Sequence, residues 1–226
     1  WRNCGRPAKT GFVSLAGSYH GETLGALSVT DVALFKDIYA PLLRQSAQVP
    51  SPDWRLTAAG ESPREFAERC ARALEEHFEG HHQETAALIV EPLVQGATGM
   101  AMYDPSYLEG ARALCDRYRV HLIADEIAVG FGRTGTLFAY EHGGIEPDIM
   151  TLGKGIGGGV PHGVGSGAAE RRVYPVHDHA GDREVVGLES GGEERGFLDG
   201  VAARRGDEHE RRGRIVDEGL HRCGSG

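Results

Sequence analysis

A continuous apolar run, Ala86-Ala87-Leu88-Ile89-Val90, stands in mid-chain and is closed by Glu91-Pro92. Such a run suits a strand covered on both faces, as in parallel sheets, and the proline ends it because it has no N–H for the ladder. Two further runs repeat the theme, Val120-His121-Leu122-Ile123-Ala124 and Asp148-Ile149-Met150-Thr151-Leu152. Segments of helical length lie between them. Ser62 can cap a helix, Pro63 suits its first position, and Glu65 completes a capping box. Phe66, Cys70, Leu74 and Phe78 then recur every four residues, leaving Arg64, Glu68, Arg72 and Glu75 on the solvated side. A second helix is expected from about Asp104-Pro105, with Leu108, Ala111, Cys115 and Tyr118 on one face. Strands alternating with amphipathic helices predict an α/β fold over residues 1–160, a mostly parallel sheet flanked by helices.

Residues 161–226 are another kind of sequence, rich in Gly, Arg, Glu and Asp, with no sustained apolar period of a helix or a strand. This reading assigns them no packed core and expects a divergent, poorly structured tail.

Charge narrows the partners. Lys plus Arg number 24 against 33 Asp plus Glu, a net charge of −9, which disfavours binding to a nucleic-acid backbone. No run approaches the roughly 18 to 20 apolar residues of a membrane helix. The first residues, Trp1-Arg2-Asn3-Cys4, carry neither an initiator Met nor an apolar signal core, so the expectation is a cytoplasmic chain that begins in mid-protein. Cys4, Cys70, Cys115 and Cys223 are scattered without a C-x-x-C pair, which predicts reduced thiols.

Two features could carry chemistry, and three other patterns fall away. Asp125-Glu126 falls at the carboxyl end of a predicted strand, where open α/β sheets bind their ligands. Lys154 stands between Gly153 and Gly155 after another predicted strand, where uncrowded backbone lets an amine approach a bound group. A nucleotide P-loop does not fit, because Asp148 and Gly155 occupy positions that need Gly and Ser or Thr. A dinucleotide fingerprint at Gly163, Gly165 and Ala168 lacks a convincing strand before it. His77, His81 and His82 suggest a metal, yet no third ligand lies at zinc spacing and a polar helix end explains them better, so no metal is expected.

Four segments in order carry a resemblance. They are Ser18-Tyr19-His20-Gly21-Glu22-Thr23-Leu24-Gly25-Ala26, then Glu91-Pro92-Leu93-Val94-Gln95-Gly96-Ala97, then Ala124-Asp125-Glu126-Ile127 with Gly130-Phe131-Gly132-Arg133-Thr134-Gly135, and finally Pro147-Asp148 through Gly153-Lys154-Gly155. Over about residues 10–160 the chain resembles the class III aminotransferases, which use pyridoxal 5′-phosphate on the type I fold. The run Glu91 to Tyr103 and the variant Asp125-Glu126-Ile127-Ala128, where many members have Gln in place of Ala128, look most like the members of biotin biosynthesis. Those move an amino group from S-adenosylmethionine to 8-amino-7-oxononanoate. Other amino donors and keto acceptors of the class, among them ω-amino acids, diamines and acetylornithine, remain alternatives, as does a non-catalytic fragment.

The resemblance implies roles. Lys154 is the catalytic lysine, which bonds the cofactor and shuttles the proton at the substrate's α-carbon. Asp125 pairs with the pyridine nitrogen and keeps it protonated. Ile127, expected two residues on along an extended chain, packs on one ring face, and Tyr19 stacks on the other and borders the substrate. Glu91, Gln95 and Arg133 are weaker candidates, and His20 is read as a hydrogen-bonding spacer without a catalytic role. The resemblance also implies a homodimer and further parts, including a phosphate-binding turn and a small domain with a carboxylate-binding Arg. None is legible here, so the chain is expected to be an incomplete copy whose tail from about Val160 reads like a shifted frame.

Overall fold

The structure, a computed structural model, describes residues 1–157 and the backbone of Gly163–Gly167 and Arg172–Val176. The chain enters the sheet at β1 (Gly11–Leu15), passes through short helices α1 (Leu24–Val29) and α2 (Ala33–Lys36) and a 3-10 turn at Asp37–Leu42, and returns as β2 (Ala47–Val49). Helix α3 (Pro63–His81) leads to β3 (Thr85–Val90), an antiparallel pair β4 (Val94–Gln95) and β5 (Ala101–Met102), helix α4 (Ser106–Tyr118) and β6 (His121–Asp125). Strand β7 (Ile149–Leu152) ends in the single turn α5 (Lys154–Gly157), followed by the backbone strands β8 (Gly163–Gly167) and β9 (Arg172–Val176). Among the described residues no helix is long and apolar enough to cross a membrane.

The main sheet has the order β2-β1-β3-β6-β7-β8-β9. The first five strands are parallel, β8 runs antiparallel to β7, and β9 antiparallel to β8. All six residues of β3 are buried, as a central strand with both faces covered requires. One face is closed by α3 and α4, where Phe66, Cys70, Leu74, Phe78, Leu108, Ala111 and Cys115 meet Val13, Leu15, Leu88, Val90 and Leu122. The α3 stripe and the capping box at Ser62 and Glu65 are those expected from the sequence. Burial pushes the Cys70 thiol up to about 11 and the Cys115 thiol up to about 12, so both act as core side chains.

The sheet does not stop at residue 160. Strand β8 carries one valine and one serine among three glycines, so no alternation announced it. Gly163 and Gly165 lie within this strand, which removes the strand-to-helix turn that a dinucleotide fingerprint needs. Ala168 and the expected frame change in the tail beyond β9 lie outside the described residues.

Candidate functional site

Parallel strands align their carboxyl ends, and β1, β3, β6 and β7 are neighbours in the sheet. Tyr19 follows β1, Glu91 follows β3, Asp125 ends β6 and Lys154 follows β7. Four residues singled out in the sequence therefore gather along one edge. Strands β1 and β3 are adjacent although β2 comes between them in the chain, so the strand order reverses there, and such a reversal opens a crevice at the strand ends.

Glu91 spans that reversal. Its Oε1 accepts the Tyr19 N–H at 3.0 Å and its Oε2 the Gly96 N–H at 2.9 Å. Burial raises its pKa against the pull of these donors. Gln95 is consumed as a tie, for its Oε1 accepts the Ser51 hydroxyl and its Nε2 donates to the Ala16 carbonyl at 3.0 Å. Arg133 is exposed on the loop after β6. Asp148 acts at the opposite end of β7, where its Oδ2 accepts from Arg112 at 2.8 Å and from the Leu122 N–H at 2.7 Å.

Asp125 is 4% exposed. Its Oδ2 accepts from His20 Nδ1 at 2.7 Å, and its Oδ1 accepts from the Ile127 N–H at 3.1 Å and the Thr151 hydroxyl at 3.2 Å. A carboxylate with a proton-donating Nδ1 at this distance fixes the imidazole tautomer. His20 is thus more than a spacer. It reaches from the β1 loop to the centre of the edge, a contact over a separation of 105 residues that sequence spacing cannot signal. Ile127 is half-buried and sits in a turn rather than on an extended chain, because the Gly130 N–H bonds the Glu126 carbonyl at 3.0 Å.

Tyr19 is half-buried, its ring tilted against Phe35 with centroids 5.0 Å apart and its hydroxyl donating to Glu22 at 2.9 Å. Burial, with Glu22 beside it, pushes the phenol up to about 12, so it stays protonated at neutral pH. Lys154 is exposed, one strand over from Asp125, whose register partner on β7 is Thr151.

Glu126, the second acid of the strand-end pair singled out in the sequence, is fully buried. Its carboxylate accepts the Ala139 and Tyr140 N–H groups at 3.0 and 2.8 Å and so closes the loop after β6. Gly130 is required in that loop, since a β-carbon there would lie 2.8 Å from the Glu126 carbonyl oxygen. Burial raises the Glu126 pKa to about 7, the two N–H donors oppose the rise, and Asp125 and Glu141 add to it. With the folded value above the unfolded one, folding takes up a proton between them, so this group's contribution falls as pH rises from about 4.5 through about 7. The difference in urea midpoint between wild type and Glu126→Gln is expected to change across this window. Glu126→Ala, which removes the acceptor of the buried Ala139 N–H and the half-buried Tyr140 N–H, is expected to lower stability by about 2 to 5 kcal/mol in urea melts.

A buried carboxylate and an exposed lysine thus stand on adjacent strand ends, near a reversal of strand order, at the edge where open α/β sheets bind their ligands. The family model for Aminotransferase class-III matches residues 2–181, and the chain belongs to that family. It is 47% identical over 160 residues to the adenosylmethionine-8-amino-7-oxononanoate aminotransferase of Geobacter sulfurreducens, covering 70% of this chain and 35% of that protein. The acetylornithine aminotransferase of Methanosarcina acetivorans is 41% identical over 157 residues, covering 69% and 34%. Among solved structures, the omega transaminase from Pseudomonas jessenii in complex with PMP is similar at a TM-score of 0.65 and 36% identity, over 70% of this chain and 35% of that one. An amine transaminase from an uncultivated Pseudomonas species in its PLP-bound form gives 0.68 and 37%, over 72% and 37%. The chain spans about a third of the length of these relatives.

Proposed function

We propose that the strand-end site belongs to a pyridoxal 5′-phosphate-dependent aminotransferase that moves an amino group from S-adenosylmethionine to 8-amino-7-oxononanoate, giving 7,8-diaminononanoate, and that this chain is an incomplete copy. The observation that carries the cofactor is the Asp125 carboxylate. Three of its roughly four lone-pair sites are occupied, which leaves Oδ2 able to accept one more donor. A protonated ring nitrogen is such a donor. Lys154 supplies the primary amine, and Tyr19 and Ile127 are the side chains for the two ring faces.

Pyridoxal phosphate, when bound, supplies an aldehyde that condenses with amines and a ring that withdraws electrons. The protein's part is placement and proton transfer. Asp125, braced by His20 and Thr151, holds a proton on the ring nitrogen. Lys154 takes the proton from the substrate's α-carbon and delivers it on the other side of the transferred nitrogen. The Asp125-Glu126-Ile127-Ala128 sequence and the 47% identity to an adenosylmethionine-8-amino-7-oxononanoate aminotransferase support the choice of substrates.

The same reading places the protein in the cytoplasm, working on small molecules as a homodimer. In support of a dimer, Leu34, Ile38 and Leu42 recur every four residues from α2 into the 3-10 turn and are 85%, 81% and 68% exposed. We also propose that residues 161–226 include a shifted reading frame, which sequencing the DNA across codon 160 tests. For the substrates, the test is an amino-donor assay on the protein completed from that DNA. Transfer from S-adenosylmethionine supports the proposal, whereas transfer from glutamate or ornithine alone rejects it.

A further inference from the structure

Gly155 has no room for a side chain. A β-carbon built there would stand 2.8 Å from Cγ and 3.0 Å from Cβ of Phe131, inside ordinary van der Waals contact. Phe131 is itself held at φ 60°, a left-handed conformation that an aromatic residue keeps only where its surroundings impose it. The loop after β6 supplies the constraint. Glu126 clasps both ends of it, through its carbonyl to Gly130 and through its carboxylate to Ala139 and Tyr140. Between those ends the Gly132 N–H bonds the Leu137 carbonyl at 3.2 Å, and the Phe138 ring meets Phe131 edge-on with centroids 5.7 Å apart.

The ring of Phe131 therefore lands on the residue next to Lys154, in a turn closed by the Gly157 N–H to the Gly153 carbonyl at 3.0 Å. Glycines on both sides of a lysine give the backbone wide freedom, and a reacting amine needs the opposite. We propose that Phe131, pressed onto Gly155 by the Glu126-clasped loop, is a positioning residue that fixes the α5 turn and hence the amine of Lys154, a role that rests on the reading of Lys154 as the cofactor-bonding lysine. On this account glycine stands at 155 to admit the ring.

The test is hydrogen exchange in the peptide spanning Gly153–Gly157 of the full chain without cofactor, so that it does not depend on the proposed activity. Phe131→Ala and Gly155→Ala are each expected to speed exchange at Gly157 at least about tenfold, by lowering the free energy of local opening. Phe131→Leu keeps bulk at the position and is expected to restore most of the protection. The double variant Phe131→Ala/Gly155→Ala is expected to exchange more slowly than Gly155→Ala, because removing the ring makes room for the new methyl group. Unchanged exchange in the single variants, or additive effects in the double variant, would overturn the proposal. Borohydride trapping with pyridoxal phosphate is run in parallel: absence of an adduct on wild-type Lys154 counts against the cofactor reading, while the exchange pattern judges the brace.

Discussion

Lys154→Ala is expected to abolish covalent capture of pyridoxal phosphate and to slow amino-group transfer in the completed enzyme by at least about 10⁴-fold, the upper range for a positioned proton-transfer group. The proposed role makes two functions fail together, the bond to the cofactor and the base at the α-carbon. Lys154→Arg is expected to fail equally, because a guanidinium stays protonated and cannot form that bond. Single-turnover transfer, followed by absorbance, measures the loss. An enzyme that keeps more than a hundredth of its rate without this amine would place the chemistry elsewhere.

Asp125→Ala is expected to cost about 10² to 10³-fold in turnover, the range for removing one preorganised electrostatic partner. His20→Ala is expected to act in the same direction and less strongly, because Thr151 and the Ile127 N–H still hold Oδ1. The two substitutions share a hydrogen bond of 2.7 Å, so their effects should combine at less than their sum, as contacting residues do. Rates for the two single variants and the double variant check this. Full additivity would mean that His20 acts apart from Asp125.

Much of the fold was legible in the sequence. The runs that form β3, β6 and β7 are apolar enough to stand out, and α3 declares itself through its capping box and its four-residue stripe. Strand β1 was missed because Ser14 interrupts a short run, and β2 because Ala-Gln-Val is only three residues long. Tyr19, Asp125 and Lys154 were singled out through ordered motifs, which mark positions along the chain. What motifs cannot show is contact across it. The His20 bond to Asp125, the Glu91 bridge to Tyr19 and Gly96, and the Glu126 clasp all join residues brought together only by strand order. Glu126 in particular sits beside a conspicuous aspartate, and only its zero exposure separates it from a solvated neighbour.

Reductive trapping tests the central claim most directly. The chain's lysines are Lys9, Lys36 and Lys154. Lys9 is buried and its Nζ donates to the His82 and Thr85 carbonyls, whereas Lys36 ends the short helix α2 and does not follow a strand of the sheet. After incubation with pyridoxal phosphate, borohydride reduction and peptide mass spectrometry, the expected result is a pyridoxyl mass on the Lys154 peptide and not on the other two. An adduct distributed over Lys36 or Lys9, or none at all, would contradict the assignment of the strand-end site.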